Sequence, residues 1–353
     1  MKVAIIGAGN GGRAYAGYLA NKGINVDLVF RTISNLSSIY RNHSILCRGK
    51  IDKILKLHRV TKDYSLALRN AKVILIVLSA SVHKEVAKAI APFLEDEQII
   101  LLNPGRTWGA IEFQNVLKRI NPNVNVYVGE TQTLLFTSRK IEDFGVEIFE
   151  IKNRVQYCFY PEYLNSVVDS TIRYLFPQLY PVHDIRITSL NNIGMILHPV
   201  ISILNAARIE KGKKFYFYRD GVSKAVANVL KEVDYERLQI MDKLGIKAYS
   251  ILEWAFHSYG VLSDDYFEVF QNIEAYKTIL APNTLNHRYL TEDLPTGLVA
   301  FFYLGNYLHV QTPTIGSLIQ LASVILNRDF MKEGRTIENC NVPIELITPP
   351  RLL

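Results

Sequence analysis

KVAIIGAGNGG, residues 2–12, joins an apolar, strand-like run to a glycine-rich turn. Gly7, Gly9 and Gly12 have the spacing GxGxxG between this run and the start of a helical pattern. In that setting the first glycine permits a tight turn, the second lets the backbone approach a pyrophosphate, and the third allows close packing of helix on strand. The amino terminus of the helix attracts the anion. The sequence therefore predicts a dinucleotide site with contacts from Gly7, Gly9, Asn10, Gly11 and Gly12.

The first half of the chain alternates between strand-like and helix-like segments, at residues 2–6, 11–22, 26–30, 73–78, 82–94, 99–102, 110–120 and 124–128. Continuously apolar strands separated by helices indicate a parallel sheet that is covered on both faces. Residues 44–60 and 146–160 are less regular, and the second of these segments is expected to append one or two strands to that sheet. Residues 161–176 then have the pattern of a helix.

From residue 188 onward the chain has the pattern of consecutive helices, including residues 223–244, 296–308 and 314–326. The change of pattern places the domain boundary near Asp184, which gives a dinucleotide-binding domain at residues 1–184 and a helical substrate domain at residues 185–353. The predicted fold class is α/β: an N-terminal Rossmann-type, doubly wound parallel sheet followed by an all-helical C-terminal domain.

SLNNIGMILHPVISILNAARIE, residues 189–210, is predicted to be one apolar helix with a narrow polar seam. The seam residues, Asn191, Gly194, Ser202 and Asn205, fall within about 40° of His198 on a helical wheel. A helix that is apolar on its other faces is buried, so the seam is not simply its solvated side. An unpaired buried polar group costs about 1–3 kcal/mol, so a ligand, water or facing side chains must satisfy the seam. On this pattern alone, His198 is either a structural core histidine or a functional one.

Charge and composition narrow the class of protein. The net charge of +7 could suggest nucleic acid, but the basic residues are dispersed, and a modest positive excess suits small anionic ligands equally well. The three cysteines, Cys47, Cys158 and Cys340, lie far apart, which indicates neither a disulfide framework nor a cysteine metal site. No His, Asp or Glu cluster has the spacing of a metal site, so no metal is predicted.

Two further observations concern location. The sequence contains no run of 18 or more apolar residues, and its amino terminus lacks the cleavage site of a signal peptide. We therefore expect a cytoplasmic protein that is not inserted in a membrane.

Cofactor choice is expected to depend on the residues that follow the second strand. An acidic residue there would bind the ribose 2′-hydroxyl, but Asp27 lies inside the predicted strand and Arg31 stands at its end. Arg31, with a hydroxyl from Thr32 or Ser34, suits the 2′-phosphate of NADP. The alternative is that Arg31 only stacks on the adenine. NADP is therefore predicted in preference to NAD.

Polar residues also follow three later strands of the predicted sheet. Ser79 and Ala80 come after the fourth strand, near the expected nicotinamide, and are predicted cofactor contacts. The segments NPGR, residues 103–106, and GETQT, residues 129–133, follow the next two strands. Ligands of doubly wound sheets bind at the carboxyl ends of the strands, so these segments are expected to line the same edge as the glycine turn. His83 is an additional candidate contact; the histidines other than His83 and His198 are expected to be structural or exposed.

Six ordered motifs give the chain a resemblance to a known family. They are GAGNGG at residues 7–12, LLNPGRTWGAIEF at 101–113, GETQTLLFTSR at 129–139, LHPVISILNAARIE at 197–210, EVDYERL at 232–238 and RYLTEDLPTGL at 288–298. With these motifs in both domains, the chain resembles the opine dehydrogenase family, the NAD/NADP octopine and nopaline dehydrogenase relatives. Members of that family reductively join an amino acid to a 2-oxo acid.

The resemblance implies roles for individual residues. His198 matches the catalytic histidine of the family and Asp293 its carboxylate partner, although spacing alone does not distinguish Asp293 from Glu292. Arg288 matches the arginine that binds the carboxylate of the 2-oxo acid. Further implied substrate contacts are Arg106, Thr131 and Asn192.

The chain departs from the family pattern at two places. Trp108 stands where a second glycine is frequent in the family, and Arg219–Asp220 stands where acidic residues are common. These departures bear on which amino acid is used rather than on the chemistry.

The implied partners are an amino acid and a 2-oxo acid, with no nucleic acid and no membrane. A homodimer is an expectation without a coiled-coil pattern to support it. Two rival interpretations stay open at this point. A reductase of the ketopantoate reductase kind would use a free 2-oxo acid alone, and a catalytically silent NADP(H)-binding sensor would bind the cofactor without turnover.

Overall fold

The computed structural model describes residues 1–33 and 36–350 of the chain. These residues form two compact units, Met1–Ser189 (unit 1) and Leu190–Leu353 (unit 2). The strands of the described residues all lie in unit 1. In chain order they are β1 Lys2–Ile6, β2 Asn25–Val29, β3 Ser44–Gly49, β4 Lys53–Lys56, β5 Arg59–Thr61, β6 Val73–Ile76, β7 Ile99–Leu102, β8 Tyr127–Thr131, β9 Phe136–Ile141, β10 Gly145–Ile151, β11 Val155–Tyr160 and β12 Leu179–Pro181.

The main sheet has the strand order β12-β11-β8-β7-β6-β1-β2-β5 within the described chain. Its central strands pair in parallel, and β11 runs antiparallel to β8. Every residue of β6 and β7 is buried, as expected for strands that are covered on both faces. The order reverses between β1 and β6, which is the switch point where ligands of such sheets bind.

The helices of unit 1 connect these strands. They are α1 Asn10–Asn21, α2 Ser37–Asn42, α3 Tyr64–Leu68, α4 His83–Ile90, α5 Gly109–Ile120, α6 Leu164–Leu175 and α7 Ile185–Leu190, the last of which ends one residue past the unit. Together with the sheet they form the doubly wound α/β arrangement that the sequence predicts.

Residues 146–160 add one strand, β11, to the main sheet, which is the smaller of the two predicted numbers. The other strand of this segment, β10, belongs to a second sheet with the order β4-β3-β10-β9. In this small sheet β10 pairs antiparallel with β9 and parallel with β3. In β3 of this small sheet, buried residues alternate with more exposed ones, as expected for a strand with one covered face.

In unit 2 the regular elements of the described residues are helices, beside one isolated β-bridge between Tyr216 and Leu280. Its helices are α8 Gly194–Leu204, α9 Ala206–Glu210, α10 Lys224–Lys243, α11 Ile251–Tyr259, α12 Tyr266–Asn272, α13 Arg288–Thr291, α14 Val299–Leu308, α15 Pro313–Leu326, α16 Phe330–Glu333 and α17 Ile344–Ile347. A π-helical turn, Leu294–Leu298, leads into α14. The predicted fold class, a Rossmann-type sheet followed by a helical domain, is confirmed.

The prediction of one continuous helix over residues 189–210 is wrong. The chain leaves helical geometry between α7 and α8, and again at Asn205 between α8 and α9. The Asn205 amide donates to the carbonyls of Ile201, at 2.9 Å, and Gly221, at 2.8 Å. Such a side chain competes with the backbone for hydrogen bonds, which is why asparagine interrupts helices more often than it extends them.

Contacts around residue 188 place the end of unit 1 five residues beyond the predicted boundary near Asp184. The Thr188 hydroxyl donates to Glu130 Oε1 at 3.1 Å, and Ser189 Oγ accepts a hydrogen bond from the Trp108 amide at 2.6 Å. Both contacts hold these residues to unit 1. The functional boundary at Asp184 stays a prediction.

Among the described residues, one stretch, Ile185–Leu204, is long and apolar enough to cross a membrane. In its most apolar window 78% of the residues are buried within the protein, as in the core helix of a globular unit. The stretch therefore gives only weak support for a membrane span.

Candidate active site

The glycine turn between β1 and α1 has the geometry that dinucleotide binding requires. Gly7 has a left-handed φ of 116°, and a Cβ on Gly12 would lie 1.7 Å from the Gly7 carbonyl oxygen. Both positions therefore exclude any side chain. A Cβ on Gly9 would meet no atom within 4 Å, so open space for a pyrophosphate lies beside the backbone there. The residues present thus fit the phosphate groups of a dinucleotide at the amino end of α1.

The Asn10 side chain is engaged within the protein. Its Oδ1 accepts a hydrogen bond from the Lys140 amide at 3.0 Å, and its carbonyl accepts one from Ser138 at 3.1 Å. Asn10 thereby ties the glycine turn to β9. Its predicted cofactor contact stays a prediction.

The Arg13 guanidinium fixes the same turn from within α1. It donates to the carbonyls of Ala8 at 3.0 Å, Glu142 at 2.8 Å and Gly145 at 3.0 Å. The small second sheet therefore holds the cofactor turn in place.

Asp27 lies in β2, in the interior of the main sheet. Its buried carboxylate lies 3.0 Å from Lys2 Nζ, 2.5 Å from His58 Nδ1 and 3.5 Å from Arg59 Nη1. These basic neighbours balance the charge of the Asp27 carboxylate within the sheet. Asp27 is therefore not the acidic residue that would bind a ribose.

Arg31 follows β2 and is exposed. Its charge lies near Tyr64, and a second cation, Lys62, lies 5.6 Å from the centroid of the buried Phe30 ring. Two cations thus surround the end of β2. Ser34, the alternative hydroxyl of the prediction, falls outside the described residues.

The predicted nicotinamide contacts lie in the turn after β6. Ser79 Oγ and Ser81 Oγ are hydrogen-bonded at 2.9 Å, and Ala80 is buried. His83 begins α4 and is fully buried, with its ring 6.3 Å from that of Phe113 in an edge-to-face arrangement. Its burial is that of a core histidine.

The loop after β7 has unusual backbone geometry. Arg106 and Trp108 both have left-handed φ angles, 63° and 58°. Such angles cost a residue with a side chain about 1–2 kcal/mol, whereas glycine adopts them readily. Trp108 stands where the family pattern has glycine, so this chain keeps the backbone shape with a fully buried indole in place of a hydrogen atom.

Thr131 is the last residue of β8 and lies beside the NPGR loop. It is fully buried, and its hydroxyl donates to the Leu102 carbonyl at 3.3 Å. The Thr131 carbonyl in turn accepts a hydrogen bond from the Gly105 amide at 3.4 Å. Thr131 therefore positions the NPGR loop, and its predicted substrate contact stays a prediction.

Lys152 is a cation near this loop that the sequence analysis missed. It follows β10, is partly buried, and donates from Nζ to Thr133 Oγ1 at 2.9 Å. Burial, and secondarily the charge of Arg106, lowers the pKa of Lys152 to about 8. Two positive charges that lie near each other and are partly removed from water favour the binding of an anion. A single lysine outside any motif provides no sign of a binding site in the sequence.

His198 in unit 2 is held between two polar side chains. Its Nδ1 lies 2.7 Å from Asp293 Oδ2, and its Nε2 lies 3.0 Å from the Tyr218 hydroxyl. Asp293 is fully buried, and the His198 side chain is 17% exposed. The carboxylate that meets the imidazole is that of Asp293 rather than Glu292. Tyr218 was not identified from the sequence, because the chain offers many tyrosines and no spacing that selects this one.

Arg288 pairs with Glu292. Its Nη2 lies 3.0 Å from the buried Glu292 Oε2, while the arginine side chain is about half exposed. Burial acts to lower the pKa of Arg288, but the charges of Glu292 and Asp293 outweigh it and raise that pKa. The neighbouring Tyr289 ring stacks on the His198 imidazole with centroids 4.0 Å apart. The short helix α13 thus carries Arg288 and, next to it in the chain, the tyrosine that stacks on His198.

Two asparagines, Asn191 and Asn192, precede α8, and Asn191 belongs to the predicted polar seam. The Asn191 Oδ1 accepts a hydrogen bond from Arg237 Nη1 at 3.2 Å. Facing side chains and carbonyls therefore satisfy Asn191, His198 and Asn205. Asn192 is only 6% exposed, and its Nδ2 has no hydrogen-bond partner among the described residues. A buried donor of this kind suits a bound ligand.

The described residues contain no group of three or more His, Cys, Asp or Glu side chains that could hold a metal ion. Unit 2 holds an imidazole–carboxylate pair and the arginine Arg288, and unit 1 holds the dinucleotide turn and the cations Arg106 and Lys152.

Comparisons with known proteins agree with this inventory. Residues 181–326 match the family described as NAD/NADP octopine/nopaline dehydrogenase, alpha-helical domain, and residues 2–123 match the NAD-dependent glycerol-3-phosphate dehydrogenase N-terminus. An opine dehydrogenase of Arthrobacter sp. (strain 1C) is 36% identical over 336 residues, covering 95% of this chain and 93% of the relative.

Solved structures give the same answer for the fold. Octopine dehydrogenase in complex with NADH and agmatine has a TM-score of 0.79 at 19% identity, covering 96% of this chain and 95% of that one. Its complex with NADH and pyruvate has a TM-score of 0.75 at 20% identity, with the same coverage. A ketopantoate reductase from Ralstonia eutropha JMP134 is more distant, with a TM-score of 0.64 at 17% identity and coverage of 93% and 99%.

The resemblance seen in the sequence motifs is confirmed by a relative above 30% identity that spans almost the whole chain. The family match in the helical unit and the Rossmann-type match in the first unit are consistent with it. The chain belongs to the opine dehydrogenase family, the NAD(P)-dependent oxidoreductases that act on CH–NH bonds.

Proposed function

We propose that this protein condenses the amine of an amino acid with a 2-oxo acid such as pyruvate and reduces the resulting imine to an N-(carboxyalkyl) amino acid, or runs the reverse oxidation. The observation that carries the proposal is the His198–Asp293 pair beside the Arg288 fork. A relative in this family is an opine dehydrogenase, and octopine dehydrogenase structures contain agmatine or pyruvate with NADH.

Each side chain has its own role in the proposed reaction. Asp293 accepts from His198 Nδ1–H, which fixes the imidazole tautomer and raises the basicity of Nε2. When protonated at Nε2, His198 donates that proton to the carbinolamine hydroxyl, which leaves as water, and the neutral imidazole takes a proton back in the reverse direction. Arg288 holds the 2-oxo acid carboxylate, and the free Nδ2 of Asn192 donates to the substrate. The glycine turn would hold the pyrophosphate of a nicotinamide dinucleotide, which would supply the hydride for reduction of the imine carbon.

An absorbance assay of NADPH consumption tests the reaction class. Several 2-oxo acids are crossed with a panel of amino acids, and oxidation is expected only when both are present. Oxidation with the 2-oxo acid alone would assign the protein to the free 2-oxo acid reductases. Cofactor binding without turnover on any pair would leave only a sensor.

We propose NADP as the preferred cofactor. Arg31→Ala is expected to raise the KM for NADPH about tenfold or more, since a charge-assisted hydrogen bond contributes about 1.5–3 kcal/mol. The KM for NADH should change little, because NADH lacks the 2′-phosphate. Comparison of the two Michaelis constants measures the effect, and Arg41→Ala removes an exposed arginine of α2 as the control. A strong preference of the unaltered protein for NADH would refute the argument.

We propose that Arg106 and Lys152 bind the carboxylate of the amino acid. The anion requires protonated Lys152, whose pKa is about 8. The KM for the amino acid is therefore expected to rise as the pH increases through about 8, against the fall that a larger fraction of neutral, nucleophilic amine would cause. Lys152→Met should remove this component of the pH profile and raise the KM at neutral pH. An exposed lysine, Lys140→Met, serves as control. Superimposable profiles for Lys152→Met and the parent would exclude Lys152.

We propose a cytoplasmic location and small-molecule partners only, an amino acid and a 2-oxo acid. The dispersed basic charge supports the absence of a nucleic-acid partner. A homodimer stays an expectation, which the molar mass in solution would test.

A further inference from the structure

Tyr15 in α1 is a fully buried tyrosine whose hydroxyl joins that helix to two loops of unit 1. It lies three residues beyond Gly12, in the helix whose amino end fits a pyrophosphate. Its hydroxyl donates to Asn103 Oδ1 at 2.8 Å and accepts a hydrogen bond from the Leu135 amide at 3.3 Å. Asn103 is the first residue after β7, and Leu135 lies between β8 and β9. One hydroxyl therefore connects the cofactor helix to both loops.

The first of these loops carries Arg106. Asn103 is the first residue of the NPGR loop, three residues before Arg106, and is buried. Its Nδ2 donates to a carbonyl of β7 at 2.8 Å, which leaves Oδ1 as the acceptor for Tyr15. Thr131 Oγ1 lies 3.4 Å from this oxygen but also 3.3 Å from another carbonyl of β7, so its one proton is shared. The Tyr15 hydroxyl is therefore the closest side-chain donor to Asn103 and positions the start of the loop.

The second loop is bonded to Lys152. The Leu135 carbonyl accepts a hydrogen bond from the Lys152 amide at 2.9 Å. Lys152 Nζ donates to Thr133 Oγ1 of the same loop, also at 2.9 Å. Leu135 thus contacts the Tyr15 hydroxyl through its N–H and Lys152 through its carbonyl. The hydroxyl is linked in this way to both proposed carboxylate-binding cations, one through each loop.

The hydroxyl of Tyr15 is not needed to fill the core. The ring packs edge-to-face on Phe136, with centroids 4.8 Å apart, and on Phe176, with centroids 5.5 Å apart, and a phenyl ring makes such contacts equally well. Burial raises the pKa of Tyr15 above its usual range, so the phenol stays neutral and keeps its proton to donate. A buried hydroxyl without partners costs free energy. Its contribution therefore lies in its two hydrogen bonds.

We propose that Tyr15 is a positioning residue: through its hydroxyl, dinucleotide binding at the amino end of α1 orders the Arg106–Lys152 pair and strengthens the binding of an amino-acid carboxylate there. This inference rests on the proposed carboxylate role of that pair. Tyr15 is fully buried and acts through Asn103 and Leu135, without contact with either ligand. Coupling between two sites is reciprocal, so the amino acid strengthens NADPH binding by the same factor.

The coupling is measured in the full-length protein without a 2-oxo acid, so that no turnover takes place. The probe is whichever of L-alanine, L-leucine, L-methionine, L-phenylalanine and L-arginine gives the fastest NADPH oxidation with pyruvate. Calorimetry gives its Kd with and without saturating NADPH. In the parent protein NADPH is expected to lower this Kd about tenfold, since couplings between two sites are typically about 5–150-fold.

Tyr15→Phe keeps the ring and removes only the hydroxyl. It is expected to reduce the NADPH effect to less than about twofold, because the restraint on both loops is lost. The Kd without NADPH and the KM for pyruvate should stay as in the parent protein. Tyr18→Phe is the matched control, because Tyr18 packs against the same two phenylalanines, but its hydroxyl lies 3.2 Å from Gln178 Oε1. This variant should keep the full coupling.

Asn103→Ala removes the acceptor instead of the donor and is expected to lose the coupling through the NPGR loop. The double variant with Tyr15→Phe should lose no more than Tyr15→Phe alone, because both changes remove the same interaction. Thermal unfolding checks the fold of each variant. If Tyr15→Phe does not fold, Asn103→Ala takes its place in the test.

An unaltered NADPH effect in Tyr15→Phe would overturn the inference, and so would a parent protein whose Kd does not respond to NADPH. A Kd that rises equally with and without NADPH would reduce Tyr15 to a structural residue. The proposed function has separate outcomes. If none of the five amino acids supports NADPH oxidation, the reaction class fails and the inference with it. If Lys152→Met leaves the Kd unchanged while oxidation still needs both substrates, the carboxylate assignment and the inference fail, but the reaction class stands.

Discussion

His198→Ala is expected to bind NADPH as tightly as the parent protein and to lose about 10²–10⁴-fold in turnover, the usual contribution of a general acid–base group. The cofactor residues lie in unit 1, whereas His198 is held by Asp293 and Tyr218 in unit 2. Removal of the imidazole therefore affects the chemical step rather than the glycine turn. NADPH fluorescence titration measures the first quantity and initial rates the second.

His257→Ala is the matched control, because it removes an exposed histidine from α11 in the same unit. Thermal unfolding of both variants checks that the fold survives. Near-normal turnover of His198→Ala would exclude the imidazole from the mechanism. It would leave the pair with Asp293 as a structural hydrogen bond of the helical unit.

Arg288→Ala is expected to raise the KM for the 2-oxo acid by about 10-fold to 100-fold, since charge-assisted hydrogen bonds contribute about 1.5–3 kcal/mol. The KM for the amino acid should rise much less. The physical reason is the planar fork of the guanidinium, which matches a carboxylate. Initial rates with one substrate varied at saturating concentrations of the other measure both constants.

Arg288→Lys is the matched control, because it keeps the positive charge beside Glu292 but loses the fork. We expect it to recover stability fully and affinity only in part. Glu292 is buried, so the alanine variant also leaves a carboxylate without its salt bridge, and its unfolding temperature must be measured beside its kinetics. A larger KM effect on the amine than on the 2-oxo acid would reassign Arg288.

The first unit was predictable because its signals are local. The apolar run at residues 2–6 and the glycines after it specify a strand, a turn and a helix within a dozen residues. The second sheet was not predictable in the same way. Its strands β3 and β10 lie about a hundred residues apart in the chain, and the pattern of either strand alone fits an edge of the main sheet as well.

The same difference between local signals and long-range contacts applies to the site. The family motifs identify His198 and Asp293, but spacing along the chain does not show that the two side chains meet. Lys152 and Tyr218 were missed because a lysine and a tyrosine acquire their character here from neighbours that only the folded chain supplies: Thr133 for the first, and His198 for the second. The break in the predicted helix at Asn205 depends similarly on the distant Gly221 carbonyl.

The left-handed backbone at Trp108 has an evolutionary consequence. Changing this tryptophan to the glycine of the family pattern would relieve about 1–2 kcal/mol of backbone strain. It would also empty the space of a fully buried indole, at a loss of about 3–5 kcal/mol for removal of so large a side chain. Exchange of this tryptophan for glycine is therefore unfavourable as a single step unless the residues packed around the indole change with it. Homologues should accordingly exchange tryptophan and glycine at this position only together with their packing neighbours.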